Sequence, residues 1–229
     1  MSPVVAIGLW AALFIGSHLA LSWESVRSRL VALVSEQPFR AIYSLAALGT
    51  FIPLALVFAH NKHAGSMLWY LRGDAPVRWL AWAMMLAALI LLISGLITAS
   101  PAAIGSRSFG QPVGILKITR HPSFVAFGLF GLAHILMNGW EGDVIFFGVF
   151  PALGILGGIH QDRRKLREIG PSYREFIKAT SFVPGVALLN GRQQWSLADI
   201  PWAAIGIGAA ATIVIVLVHP IIFGGSPIG

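Results

Sequence analysis

Histidine side chains within apolar segments are the residues of this chain with the clearest chemical potential. His18 lies in the stretch GSHLALS at 16–22, and His134 lies in an apolar run that begins at Arg120-His121-Pro122. An ionisable side chain in such a run costs free energy unless it has a partner, and within a membrane it marks a functional site. Because imidazole ligates both haem iron and zinc, these histidines are candidate metal ligands.

The tripeptide Arg120-His121-Pro122 predicts the start of a helix. Proline is favoured in the first helical turn because its missing N–H would have no partner there, and Thr119 is positioned to cap that turn. Two basic residues at the positive end of a helix suit an acidic group. A haem propionate, a nucleotide phosphate or a lipid headgroup would each fit, and Arg163 beside Asp162 is a further candidate for this role.

Two more histidines, His60 and His63, have the spacing of a metal site. This spacing puts both imidazoles near one helix face, but no carboxylate is near in sequence. We therefore favour a polar cap at the membrane boundary. The chain has no cysteine, which excludes thiolate ligation of haem and iron–sulfur clusters. Motifs of the HExxH and GxSxG type are also missing, which disfavours zinc and serine hydrolases.

The composition indicates that these histidines belong to an integral membrane protein. Hydrophobic residues make up 56% of the chain and charged residues 11%, against about 25% charged residues in soluble domains. A spanning helix needs about 20 apolar residues. Six segments come close, at 3–21, 41–59, 79–98, 123–137, 144–159 and 202–218. We predict an all-α, polytopic transmembrane bundle of about six helices, forming one domain over 1–229, with the last helix and tail in 194–229.

The basic residues predict the orientation of this bundle. Of the 16 lysines and arginines, only Lys62, Arg72 and Arg78 fall in loops on the side of the N-terminus. The positive-inside rule then places both termini in the periplasm, for a multi-pass protein of a cell inner membrane. Topology explains the net charge of +7, so we predict the lipid bilayer as partner and no nucleic acid. A hydrophobic small molecule or nitric oxide is a candidate ligand.

Three polar segments between the apolar ones have their own predicted structures. Residues 23–39 predict an amphipathic surface helix ended by Pro38. Residues 162–184 predict a helix that leaves the membrane, a turn at Gly170-Pro171 and a short surface helix. The loop at 100–117, which is rich in glycine and serine, is placed to cross the mouth of a site.

Three stretches together resemble the NnrU family: GSHLALS at 16–22, GILKITRHPSFVAFGLFGLAHILMNG at 114–139 and GIHQDRRKLREIGPSYREFIKATSFVPGVALLNGRQ at 158–193. The resemblance runs from the first helix to about residue 193. That family includes the plant and cyanobacterial 15-cis-ζ-carotene isomerases, and its bacterial branch is linked to nitrite and nitric oxide respiration. The RHP motif before a charged helix is also similar to membrane methyltransferases of the isoprenylcysteine and phospholipid type.

The resemblance implies haem b held by two axial histidines, which on this chain are His18 and His134. It implies a haem-binding membrane protein that supports nitrite and nitric oxide respiration or handles nitric oxide. The alternatives are a 15-cis-ζ-carotene isomerase that uses haem redox chemistry, a non-catalytic assembly or sensing factor, and a methyltransferase. Gln161-Asp162 stands where the methyltransferases have paired glutamates, which disfavours the last alternative. Catalytic residues are not assigned.

Positions along the predicted helices put His18 and His134 at different depths. His134 follows His121 by 13 residues, or about 20 Å along a helix. This places His134 toward the outer third of the membrane, while His18 lies in the inner third with His121. We favour His18 with His134 as the axial pair and keep His18 with His121 as the alternative. Arg120, His121 and Arg163 are then expected to neutralise propionates or to order the cytoplasmic cap.

Overall fold

The helical segments predicted from sequence are present in the computed structural model, which describes residues 1–98, 100–102 and 111–225. The α-helices of this described part are α1 (Pro3–Ser22), α2 (Glu24–Val34), α3 (Glu36–His60), α4 (Ala75–Ile97), α5 (Pro122–Met137), α6 (Glu141–Ile169), α7 (Pro171–Ala179), α8 (Val186–Leu189) and α9 (Trp202–Phe223). Two 3₁₀ turns, Gly114–Lys117 and Leu197–Asp199, and an isolated bridge between Met67 and Trp140 complete the regular structure described. The predicted all-α class is confirmed.

Helix length and composition agree with a multi-pass membrane protein. Within the described residues, α1, α3, α4, α6 and α9 are each long and apolar enough to cross a membrane. The short apolar helix α5 has 16 residues and corresponds to the short fourth predicted segment. About six membrane helices are therefore consistent with the structure. Helix α6 is longer than the predicted segment, because it continues through the charged residues after His160 as far as Ile169.

Helix α6 lies between the other membrane helices. It packs against α1, α3 and α5, while α4 packs on α5 and α9 packs on α4. Helices α1 and α6 run parallel, since Ile7 approaches Gly142 near the start of both and Ser22 contacts His160 further along. We call the end of the bundle that contains Arg120 and His160 the Arg120 end, and the opposite end the His63 end.

A close crossing joins α5 to α6 in the antiparallel direction. A Cβ atom added at Gly131 of α5 would lie 2.5 Å from the carbonyl oxygen of Phe147 and 2.6 Å from Cδ of Pro151. A Cβ atom added at Gly154 of α6 would lie 2.7 Å from the carbonyl oxygen of Phe124. The two glycines therefore allow the helix backbones to approach closely, as small residues do in membrane helix pairs.

Gly131→Ala is expected to lower the stability of the protein by about 1–3 kcal/mol, the usual cost of forcing a methyl group into a packed contact. Thermal unfolding of the detergent-solubilised protein measures the effect. Gly128→Ala is the matched control on the same helix, because its nearest heavy atom would be 4.0 Å away. Equal melting temperatures for the two variants would contradict this account of the crossing.

Two predicted boundaries meet different outcomes. The prediction that Pro38 ends the surface helix is wrong. Helix α2 ends at Val34, Ser35 has φ 66, and α3 begins at Glu36. Pro38 then lies in the first turn of α3, where the missing N–H costs nothing. The predicted Gly170-Pro171 turn is confirmed, with Gly170 at φ 75 between α6 and α7. Residues 103–110 of the predicted loop 100–117, including Arg107, lie outside the described residues.

Candidate functional site

His18 and His134 make the same local contact. Nδ1 of His18 lies 2.9 Å from the carbonyl oxygen of Phe14, and Nδ1 of His134 lies 2.8 Å from the carbonyl oxygen of Phe130. A carbonyl oxygen only accepts, so Nδ1 carries the proton in each ring. The neutral imidazole then has its lone pair on Nε2, the tautomer that a metal ligand needs.

His18 and His134 lie on antiparallel helices, so their side chains tilt toward each other along the bundle. Helical side chains tilt toward the N-terminus of their own helix, and α1 and α5 run in opposite directions. His18 therefore leans from the Arg120 end toward the middle of the bundle, while His134 leans back from the His63 end. The contacts with Phe14 and Phe130, each four residues earlier in the chain, agree with these directions.

A continuous set of phenylalanine rings lies between the two histidines. The ring of His18 is 4.4 Å from Phe14, and the ring of His134 is 4.3 Å from Phe130 and 4.5 Å from Phe147. Contacts from Phe14 to Phe51, from Phe51 to Phe150 and from Phe150 to Phe130 complete the set. These rings pack on one another and make the region between the two histidines apolar, an environment that suits a porphyrin or a polyene. We call this set of rings the aromatic interior.

The acidic group expected at Arg120 and His121 is supplied by the protein itself. Nε and Nη2 of Arg120 donate to Oδ2 of Asp162 at 2.9 and 2.7 Å, and Nε2 of His121 donates to Oδ1 at 2.8 Å. The hydroxyl of Tyr173 donates to the same Oδ1 at 2.7 Å. The side chains of Arg120 and Asp162 are 13% and 12% exposed. We call these four residues the Asp162 cluster; it ties the start of α5 to α6 and α7.

Neighbouring contacts reinforce the Asp162 cluster. Thr119 accepts from the backbone N–H of His121 at 3.2 Å and donates to the carbonyl oxygen of Phe182 at 2.7 Å. Thr119 thus orders the residue that caps α5. Burial and the charge of Asp162 raise the pKa of Tyr173, so its hydroxyl keeps its proton and stays a donor to the carboxylate.

The remaining candidates at the Arg120 end have different surroundings. Arg163 is exposed, and Nε2 of His121, which the alternative axial pair would use, already donates to Asp162. Near His18, a cavity of about 190 Å³ is lined by Ser22, Arg27 and Arg164 together with Glu24, Ser28, Arg167 and Glu168. Nε of Arg164 is buried there without a hydrogen-bond partner among the described residues. Sequence reasoning did not single out Arg27 or Arg164.

His60 and His63 have separate partners. Nδ1 of His60 lies 2.7 Å from the carbonyl oxygen of Leu56, whereas Nδ1 of His63 donates to Oδ2 of Asp143 at 2.7 Å. The described residues hold no group of three or more histidines and carboxylates suited to a metal ion. Asp143 lies 80 residues from His63, so its proximity had no signal in the local sequence.

A second carboxylate that the sequence analysis missed holds the chain before α9. Asp199 accepts from Nζ of Lys117 at 2.8 Å and from the hydroxyl of Ser196 at 2.7 Å. The hydrogen bond from Lys117 is the main reason that the pKa of Asp199 lies below its usual range. The capping pair of Ser196 and Asp199, three residues apart, was the available sequence signal.

Comparison with known proteins decides the family. The profile described as NnrU protein matches residues 6–227. The chain belongs to the NnrU family. This NnrU protein is 28% identical, over 98% of its length, to a protein named 15-cis-zeta-carotene isomerase, chloroplastic, from Arabidopsis thaliana, and 27% identical over 74% of its length to the protein of that name from Zea mays. No solved structure matches.

The plant relatives are longer than this NnrU protein. The matches span 62% of the Arabidopsis thaliana protein and 47% of the Zea mays protein. The residues that match the family profile, 6–227, include both histidines, the Asp162 cluster and the aromatic interior. The matched region therefore contains the whole candidate site.

Proposed function

We propose that this NnrU protein binds haem b in its aromatic interior, with His18 and His134 as axial ligands, and that it serves nitrite and nitric oxide respiration or nitric oxide handling. The observation that carries the proposal is the pair of imidazoles on antiparallel helices, each with Nδ1 bound to a carbonyl oxygen and its Nε2 lone pair available. The donor set thus fits haem iron. Bound haem b would supply one-electron chemistry, and nitric oxide would bind it only by displacing one of the two histidines.

Other residues of the chain would position and enclose this group. The phenylalanines of the aromatic interior would exclude water from it. The Asp162 cluster fixes the start of α5, the helix of His134, and the contact of 3.0 Å between Ser22 and His160 fixes the end of α1, the helix of His18. Ser22 lies one helical turn after His18 in α1. It also lines the cavity together with Arg27 and Arg164.

Cationic side chains at the Arg120 end would pair with the propionates of haem. Arg120 and His121, the first candidates, already neutralise Asp162, and Arg163 is exposed. We therefore assign Arg164 to the propionates, because it lines the cavity beyond His18 and its Nε has no hydrogen-bond partner among the described residues. Arg27 also lines that cavity, but it already donates to both carboxylate oxygens of Glu36, at 2.7 and 2.9 Å. In this proposal the Arg120 end faces the cytoplasm and both termini are periplasmic, since the basic residues concentrate at that end.

Haem content tests the proposal directly. The protein is purified in detergent from cells with ample haem, and the pyridine haemochrome is measured against protein concentration. About one haem b per chain is expected, since one axial pair is proposed. Addition of nitric oxide to the reduced protein is expected to shift the Soret band. A colourless preparation that also fails to take up added haemin would refute haem binding.

A second candidate is isomerisation of a polyene in the same interior. The identity of 28% to the Arabidopsis thaliana protein over 98% of this chain favours it, and a ring-lined interior suits a polyene. Conversion of 9,15,9′-tri-cis-ζ-carotene by the reduced protein, followed by chromatography, distinguishes it from a respiratory role. An unchanged isomer ratio would argue against it. The methyltransferase alternative has less support, since Gln161 and Asp162 are engaged with Ala102 and the Asp162 cluster.

A further inference from the structure

A second cavity, of about 210 Å³, lies at the His63 end, apart from the imidazole pair. It is bounded by aromatic rings, thioethers and an imidazole, which belong to Trp69, Tyr70, Trp140, Met67, Met137 and His63. Such a lining is typical of a small-molecule site, where apolar walls surround a few polar groups. We call it the His63 cavity.

Contacts between two chain segments form the walls of the His63 cavity. The backbone N–H of Leu68, after α3, donates to the carbonyl oxygen of Gly139 at 2.7 Å, between α5 and α6. The indole N–H of Trp69 donates to the carbonyl oxygen of Ile135 at 3.2 Å. These two hydrogen bonds fix the positions of the cavity walls.

The polar group of this cavity is an imidazole backed by a buried carboxylate. Asp143 is 1% exposed and accepts from Nδ1 of His63 at 2.7 Å and from its backbone N–H at 3.3 Å. His63 has φ 58, and its side chain is 48% exposed. With Nδ1 bound to Asp143, Nε2 is left to accept a hydroxyl proton or, once protonated, to donate to a carbonyl oxygen.

The position and size of the His63 cavity restrict its ligand. Tryptophan and tyrosine concentrate at the membrane–water boundary, so the aromatic walls indicate a ligand that reaches this level. The volume suits one six-membered ring, whose faces would contact Trp69 and Trp140. Met67 and Leu68 are 51% and 52% exposed and offer an apolar path along which a lipid tail would leave. Arg72 is the one permanently charged cation in the described lining. A single cation favours the phosphate of a phospholipid headgroup only weakly.

The geometry points to a binding site for the ring of a quinone-class lipid in the His63 cavity. Nε2 of His63 hydrogen-bonds the ring oxygen, Asp143 fixes the imidazole, and the tryptophan rings and methionine sulfurs contact the ring. The site lies next to the candidate haem ligand, because Asn138, which also lines it, donates to the carbonyl oxygen of His134 at 2.9 Å. Quinone binding at this site does not require haem, so it is tested independently of the proposed haem binding.

Titration with decylubiquinone tests this site, with quenching of tryptophan fluorescence as the readout. We expect saturable quenching in the wild-type protein, beyond that of free tryptophan in the same detergent. His63→Leu is expected to weaken binding about tenfold, because leucine has no donor or acceptor and the hydrogen bond to the ring oxygen is lost. His60→Leu is the matched control, since His60 is also at the end of α3 but does not line the cavity. Met67→Trp fills the cavity without altering His63 and is expected to abolish binding.

Three outcomes would overturn the proposal. The first is quenching that does not saturate. The second is equal affinity in the wild type, His63→Leu and Met67→Trp, with melting temperatures showing that the variants are folded. The third is loss of the saturable quenching when a water-soluble headgroup analogue, glycerol 3-phosphate, is added in excess, which would assign the cavity to a headgroup. The titration is repeated on haem-free protein, so a failure of haem binding leaves this result interpretable.

Discussion

Asp162→Asn is expected to destabilise the protein by about 3 kcal/mol or more, the cost of removing one partner from a buried ion pair. The amide keeps the shape of the carboxylate but loses its charge, and one of its two positions becomes a donor. Arg120, His121 and Tyr173 would then point three donating groups at a single acceptor. Because the cluster joins α5 to α6 and α7, the loss should appear in global unfolding.

Two variants calibrate this prediction. Glu175→Gln makes the same chemical change in an exposed pair with Lys178, whose side chains are 70% and 66% exposed, and should cost about 0.5 kcal/mol or less. Tyr173→Phe removes one hydrogen bond to Asp162 and should cost about 1 kcal/mol. Equilibrium and thermal unfolding in detergent measure all three. An Asp162→Asn protein as stable as Glu175→Gln would show that the cluster contributes no stability.

His18→Ala and His134→Ala are each expected to reduce bound haem b at least tenfold. Each substitution removes one of the two proposed axial ligands, while the aromatic interior stays in place. The measurement is the ratio of Soret to protein absorbance after purification in the same detergent. The alternative pair of His18 with His121 predicts a different pattern, in which His134→Ala keeps its haem.

His60→Ala is the control for the histidine contact itself. His60 has the same arrangement, with Nδ1 2.7 Å from the carbonyl oxygen of Leu56, but it lies at an exposed helix end outside the aromatic interior. We expect it to retain haem fully. If all three variants lose haem equally, the loss reflects general destabilisation and the axial assignment fails.

Local sequence signals predicted the helices and drew attention to the histidines of the candidate site. Long apolar segments and the Gly170-Pro171 turn are properties of contiguous residues, and the structure has both. The boundary at Ser35 was missed because proline is compatible with a first turn as well as with a helix end. Nothing in residues 23–39 distinguished these two cases.

The partners of the charged side chains could not be predicted from neighbouring residues in the sequence. Asp162 is 42 residues from Arg120, and Asp143 is 80 residues from His63. Such pairs depend on which helix ends meet in the bundle. The sequence indicated that Arg120 and His121 need an acid, but it did not distinguish an external anion from Asp162.

The predicted depth difference between His18 and His134 is reduced by the direction of their side chains, which depends on helix direction. Counting residues locates the Cα atoms, but side chains tilt toward the N-terminus of their helix. Because α1 and α5 are antiparallel, the tilts reduce the difference in depth between the two imidazoles. The direction of each helix follows from alternation across the membrane, so these tilts were predictable in principle.

The most direct test of axial ligation by two histidines is an electron paramagnetic resonance study of the ferric wild-type protein, with histidine labelled by ¹⁵N. We predict a low-spin haem spectrum whose ¹⁵N couplings come from two histidine ligands. A high-spin spectrum, coupling to a single histidine, or a protein that binds no haem would contradict ligation by His18 and His134.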